Sequence, residues 1–432
     1  MLMKTELDSK KGIFAWAFYD WANSAFATTV MAAFFPIFFR AYWGAGNDSA
    51  LNTFYLGLAN SIASIFVALL APVLGAIADR GGYRKKFLVF FAFLGALMSS
   101  SLAFVHMGAW PLAFAFYVLG NIGFASGNTF YDSMLPSVAS EKKVDFASSL
   151  GYSLGYIGGG ILFLLNVVMF LMPGLFGLGD GVAAVKLSFL MVGIWWFVFS
   201  LPIIIFVPGG EKSDGIDLAG AVKKGFGEVA QTLRSVKSLK NLGFFLVAYW
   251  CYIDGVDTII KMATDYGTSL GFPAESLIVA LLITQFVAFP AAIAYSFFGK
   301  RIGVKNAILV AVVAYAVIAL LGFFMTKVIH FYILAICIGL FQGGIQALSR
   351  SFFSRLVPES HESQFFGFFN MLGKFAAIIG PFLVGIVSLF TSEQRYGIVS
   401  LIILFIVGFV LLRKVDEDEA RKEKELYENR MK

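Results

Sequence analysis

Six ionisable side chains sit inside long apolar runs of this 432-residue chain: Asp20, Asp132, Asp254, Asp257, Lys261 and Lys374. A charge persists at such depth only when it faces water, a partner or a ligand, so each is a candidate for binding or proton exchange. Asp254, Asp257 and Lys261 are spaced by three and four residues, which sets them near one helix face. That group reads in two ways: a proton- or cation-responsive element facing a cavity, or an Asp257–Lys261 pair that neutralises itself. Asp20, with Asn23 a turn away, suits a cavity carboxylate or an interhelical hydrogen bond. Lys374 suits the carboxylate of an anionic or zwitterionic solute, or a permanent pair with Asp20 or Asp254. Trp16 and Tyr19 flank Asp20, and Trp250 precedes Asp254. Their rings can stack on a solute, shield a cation or simply pack. Asp132 and Arg350 lie nearer the ends of their runs and read as gate or latch residues.

Other chemistries find no support. The three histidines, His106, His330 and His361, are scattered, and no His-Glu-x-x-His pattern, Gly-x-Ser-x-Gly elbow or phosphate loop occurs. The glycines from Gly151 to Gly160 lack the strand-to-helix setting of a nucleotide loop and read as a close helix contact. Cys251 and Cys337 make neither a metal pattern nor an evident disulfide. An enzyme is therefore not expected, nor a metal, a cofactor or a nucleic-acid partner.

The elements that must position these residues are membrane helices. Hydrophobic residues make up 59% of the chain and charged residues 14%, too few to coat a soluble protein of this length. A span needs roughly 20 apolar residues. Runs of that length fit at about 13–39, 53–78, 86–106, 110–136, 146–170, 186–207, 242–266, 276–298, 306–326, 331–356, 364–389 and 394–412. Of the 33 Lys and Arg residues, all but Arg40, Lys186, Lys327, Arg395, Lys261 and Lys374 fall on one side of that pattern. Basic residues are retained in the cytoplasm on insertion, so both termini are expected there. The first run is too long for a cleavable signal and contains Asp20 and Asn23. The fold expected is all-α and integral to the membrane, with twelve transmembrane helices. The basic loops also favour contact with anionic lipid.

The chain repeats itself. Trp16-Ala17-Phe18-Tyr19-Asp20 is echoed by Trp250-Cys251-Tyr252-Ile253-Asp254, Phe130 to Pro136 by Phe352 to Pro358, and Leu154-Gly155 by Leu372-Gly373. This divides the chain into a six-helix half at 1–207, a cytoplasmic linker at 208–241, a second six-helix half at 242–412 and a charged tail at 413–432. Two such halves can pivot about a central cavity. In the linker, Val222, Phe226, Val229, Leu233 and Val236 recur at steps of four and three, predicting an amphipathic helix that lies in the membrane interface or packs on the bundle.

Between the second and third runs stands Gly75-Ala76-Ile77-Ala78-Asp79-Arg80-Gly81-Gly82-Tyr83-Arg84-Lys85-Lys86. It resembles the cytoplasmic signature of the major facilitator superfamily, with Tyr83 in place of the usual first basic residue. The resemblance implies that Asp79, Arg80 and Arg84 latch the halves in one conformation. The second half has Ser296…Lys300-Arg301-Ile302-Gly303-Val304-Lys305, where Lys300 stands at the acidic position, so its latch lacks a carboxylate. The segment from Trp16 to Phe26, Leu348-Ser349-Arg350-Ser351-Phe352-Phe353, Phe365-Phe366-Gly367-Phe368-Phe369, Gly373-Lys374 and Gly380-Pro381 are similar to the branch related to the fungal autophagy-associated vacuolar amino-acid effluxer. That resemblance implies a secondary transporter of bacterial type in the cell inner membrane. It would work as a monomer and export amino acids or related small polar or zwitterionic solutes, with a proton or cation as coupling ion. An organic-anion or sugar-like solute carrier is the alternative within transport, and a nontransporting receptor or lipid-responsive scaffold the alternative outside it.

Overall fold

With no water beside it, an apolar chain must satisfy its backbone internally, and every regular element among the described residues is helical. The computed structural model describes residues 6–46, 49–209, 239–358, 362–391 and 393–431. The principal helices are α1 (Lys10–Ala25), α2 (Ser49–Gly81), α3 (Arg84–Leu102), α4 (Trp110–Ser133), α5 (Val144–Leu171) and α6 (Gly181–Phe206). Then come α7 (Lys240–Ser269), α8 (Ala274–Ile302), α9 (Val304–Phe323), α10 (Val328–Leu356), α11 (Glu362–Thr391), α12 (Ile402–Arg413) and the tail helix α13 (Glu417–Met431). Among the described residues, nine stretches are long and apolar enough to cross a membrane. Helices α2 and α11 add the shorter apolar segments Leu58–Val67 and Ile379–Ser388. The amphipathic helix expected at 222–236 lies outside the described residues.

Local chemistry explains the boundaries. Ser9 caps α1, its Oγ accepting from the Gly12 amide at 3.1 Å. The helical path then runs on to Trp43, with Phe26–Phe34 and Phe39–Trp43 wound as π-helix. Two tight turns depend on glycine: Gly82 (φ 61°) between α2 and α3, and Gly303 (φ 88°) between α8 and α9. Just past each turn a lysine clamps a distant carbonyl. Lys85 Nζ donates to Val207 O at 2.7 Å and Lys305 Nζ to Val415 O at 2.8 Å.

Two main hydrophobic clusters form, one from residues between Ile13 and Val207, the other from residues between Leu239 and Tyr427. Trp16, Trp43 and Trp196 are fully buried in the first, and Tyr252 and Tyr315 in the second. The clusters meet where α2 packs on α11 and α5 packs on α8 and α10. Glycines set the closest approaches within each. A Cβ on Gly158 of α5 would stand 2.7 Å from the Trp21 ring, and one on Gly339 of α10 would stand 2.9 Å from Val287 of α8.

Candidate functional site

A cavity of about 530 Å³ lies between the two clusters. Its walls follow helical spacing. On α4, Phe124, Asn128 and Asp132 recur every fourth residue; on α10, Gln342, Gln346 and Arg350 do the same. From the first helix and its extension come Asp20, Asn23, Thr28 and Met31, and from α5 Tyr152 and Tyr156. Lys261, Gln285 and Asn370 add polar groups from α7, α8 and α11.

The two ladders converge at the floor, the end of the bundle where α1 begins. Arg350, 1% exposed, donates from Nη1 to Asp132 Oδ1 at 2.9 Å and to Asp20 Oδ2 at 3.5 Å. Its Nε donates to Ser148 Oγ at 2.9 Å and its Nη2 to the Ser148 carbonyl at 2.8 Å. Ser148 Oγ in turn donates to Ala347 O at 2.8 Å. The carboxylates have further donors: Tyr131 Oη to Asp20 Oδ2 at 2.8 Å, and Asn370 Nδ2 to Asp132 Oδ2 at 3.2 Å. The guanidinium also lies over the rings of Tyr152, Trp16 and Tyr131, at 4.3, 4.9 and 5.3 Å from their centres. Gly151 makes this density possible, since a Cβ there would stand 2.6 Å from Tyr131 Oη and 2.7 Å from Asp20 Oδ2. One guanidinium thus faces two carboxylates in a buried, hydrogen-bonded cluster that joins the two hydrophobic clusters.

A second tie lies beyond the floor. Both oxygens of Asp79 accept backbone amides at the start of α11, from Ser363 and from Gln364, each at 3.0 Å. A carboxylate from α2 thereby caps the positive end of α11. Arg84 binds Asp79, with Nη2 2.8 Å from Oδ1, and also pairs with Glu362. Nearby, Arg355 of α10 pairs with Asp145 of α5 at 2.6 Å.

The sequence-derived candidates separate by position. Asp20, Asn23 and Lys261 line the cavity together with Asp132 and Arg350. Trp16 and Tyr19 are buried behind the wall, stacked or tilted against Tyr131. Asp254 is not in the lining: 1% exposed, it accepts the Gly380 amide on both oxygens, at 3.0 and 2.9 Å. The Gly380 amide, just before Pro381 of α11, thus finds its acceptor on a side chain of α7. Asp257 is half-buried on α7 outside the cavity lining, and Trp250 packs in the second hydrophobic cluster. Asp79 and Arg84 form the tie to α11. The side chains of Lys374 and Arg80 lie outside the described ones. Sequence reasoning missed Gln342, Gln346, Tyr152, Tyr156 and Ser148. The signal for the glutamines was their four-residue spacing from Arg350.

Known proteins share this architecture. The chain superposes on the fucose transporter FucP in its outward conformation with a TM-score of 0.71 at 14% identity, covering 94% of this chain and 98% of that one. The human organic anion transporter MFSD10 gives 0.70, also at 14% identity, covering 93% and 99%. By sequence it is 40% identical over 409 residues to the uncharacterized MFS-type transporter YxiO of Bacillus subtilis (strain 168), covering 94% of each chain. It is 23% identical over 454 residues to autophagy-related protein 22 of Yarrowia lipolytica, covering 85% of this chain and 76% of that one. Residues 45–425 match the family described as vacuole effluxer Atg22 like. A multi-pass helical membrane protein with the major facilitator fold, the chain belongs to the Atg22-like family.

Proposed function

We propose that this protein is a secondary active transporter working by alternating access, which exports amino acids or related small zwitterionic solutes. The observation that carries the reading is a polar cavity walled by both hydrophobic clusters, with a floor closed by Asp20, Asp132 and Arg350. A site shared between two bodies is exposed to one side at a time if the bodies rock about it. The floor cluster and the Asp79 cap hold one end shut, and parting them is the step that would open it.

Twelve spans in two six-helix halves, with both termini cytoplasmic in a bacterial inner membrane, are part of this proposal. The two hydrophobic clusters, the paired glycine turns and the paired lysine clamps support it. The printed names of the relatives support transport: an MFS-type transporter and a family of vacuole effluxers. The lining suits a zwitterion, with Asp20 and Asp132 for an ammonium group and Lys261, an exposed side chain, for a carboxylate. Asp20 is the proposed carrier of a coupling proton, since it has the longer contact to Arg350. Lys261 and Arg350 also favour a second reading, carriage of an organic anion, the solute class named for MFSD10.

Counterflow in proteoliposomes tests the proposal. Vesicles loaded with an unlabelled amino-acid mixture should accumulate labelled amino acid, and an imposed proton gradient should change the rate. Accumulation of labelled organic acids instead would favour the second reading, and binding without exchange of any solute would refute transport.

A further inference from the structure

The charged floor does not account for the rest of the α10 ladder. Arg350 is engaged by Asp132, Asp20 and Ser148, whereas the two glutamines above it keep hydrogen-bonding capacity to spare. Tyr156 donates to Gln346 Oε1 at 2.6 Å, which leaves the Gln346 Nε2 hydrogens to serve as donors. Gln342 is only 8% exposed, lines the cavity, and its Oε1 accepts no hydrogen bond. A buried carboxamide oxygen without a donor is unfavourable, and a ligand N–H removes that penalty.

The ladder is also fixed in direction. A Cβ on Gly343 would stand 2.7 Å from Ala292 of α8 and 3.0 Å from Tyr156, so α10 is pressed against its neighbours and cannot turn its glutamines away. From Arg350 to Gln342 is eight residues, roughly 12 Å along a helix. An extended chain advances about 3.5 Å per residue. A solute with its charged end at the floor therefore reaches Gln342 only if it is about three to four residues long, beyond any single amino acid.

We infer that Gln342 and Gln346 form a subsite for an amide group, with the solute's N–H donated to Gln342 Oε1 and its C=O accepting from Gln346 Nε2. Short peptides are then preferred over single amino acids. This rests on the cavity being the transport site. Full-length wild type, Q342L and Q342E are compared in proteoliposomes by counterflow of labelled trialanine, tetraalanine, glutamine and leucine, with monodispersity checked in parallel. Wild type should favour a peptide over glutamine and leucine. Q342L should cut the preference for the peptide over leucine about tenfold, through KM rather than kcat, whereas Q342E, which keeps an acceptor, should retain most of that preference. Exchange in which leucine or glutamine is the preferred probe, or in which Q342L affects all probes alike or none, overturns the subsite and leaves transport standing. Absence of exchange for every probe in wild type overturns the subsite together with the amino-acid reading.

Discussion

Arg350 Nη1 stands 2.9 Å from Asp132 Oδ1, joining α10 near its end to the last turn of α4 at the base of the cavity. Both groups are buried, and Asp20 approaches the same nitrogen at 3.5 Å. The pair is stable because four further donors and acceptors surround it, so removal of either member has unequal consequences. Arg350→Gln leaves two carboxylates facing each other without a cation and should lower stability by about 3–5 kcal/mol. Asp132→Asn keeps an acceptor for Arg350 and leaves Asp20 as counter-ion, so its loss should be smaller. Thermal unfolding of the purified variants in detergent gives the order; equal midpoints for R350Q and wild type would show that the cluster stabilises nothing.

Asp79→Ala should loosen the start of α11. It uncaps the Ser363 and Gln364 amides, an effect of about 0.5–2 kcal/mol, and frees Arg84 from one partner. Ser363 is fully buried, so on a background lacking Cys251 and Cys337 the variant S363C should alkylate slowly, and severalfold faster when Asp79→Ala is added. Unchanged labelling would mean that this carboxylate does not control the opening.

Gly151→Ala inserts a methyl group where Tyr131, Asp20 and Arg350 converge, the last with Nη2 3.0 Å from the new carbon. Exchange activity should fall at least about tenfold, because the floor must shift to accommodate it. Gly174→Ala, which points into open space, is the matched control and should be silent.

At the same end, the Ser140 backbone N–H donates to Asp8 at 2.9 Å and holds its carboxyl below the usual value, with the Ser140 hydroxyl adding a second bond. A carboxyl depressed in the folded state stabilises above its unfolded pKa and loses that contribution as pH falls through the folded one. Docking of residues 6–9 should therefore persist at neutral pH and weaken only below about pH 4. Amide protection at Asp8, whose N–H donates to Val138 O, reports it; weakening near pH 6 would contradict the assignment.

Much of this was legible in the chain. Charges inside apolar runs are costly, so Asp20, Lys261 and Asp132 stood out against their surroundings. The facing of each charge was not legible, because it depends on which helix lies alongside. Asp254 occupies the position in α7 that echoes Asp20 in α1, yet it serves the backbone of α11, where it accepts the Gly380 amide just before Pro381. Carboxamides carry no charge and are common in packed helices, so Gln342 and Gln346 gave no comparable signal. Only their register with Arg350 marks them.

The account centres on two bodies that rock about the cavity, opening one end as the other closes. Spin-label distances measured at both ends of the bundle test this most directly, using exposed Lys142 and Lys300 near the floor and exposed Met107 and Thr326 at the opposite end. On adding a bound solute, or on Arg350→Gln, the account predicts a second population in which the Lys142–Lys300 distance lengthens while the Met107–Thr326 distance shortens. Distances that stay fixed at both ends, in the presence of a solute the protein binds, would contradict it.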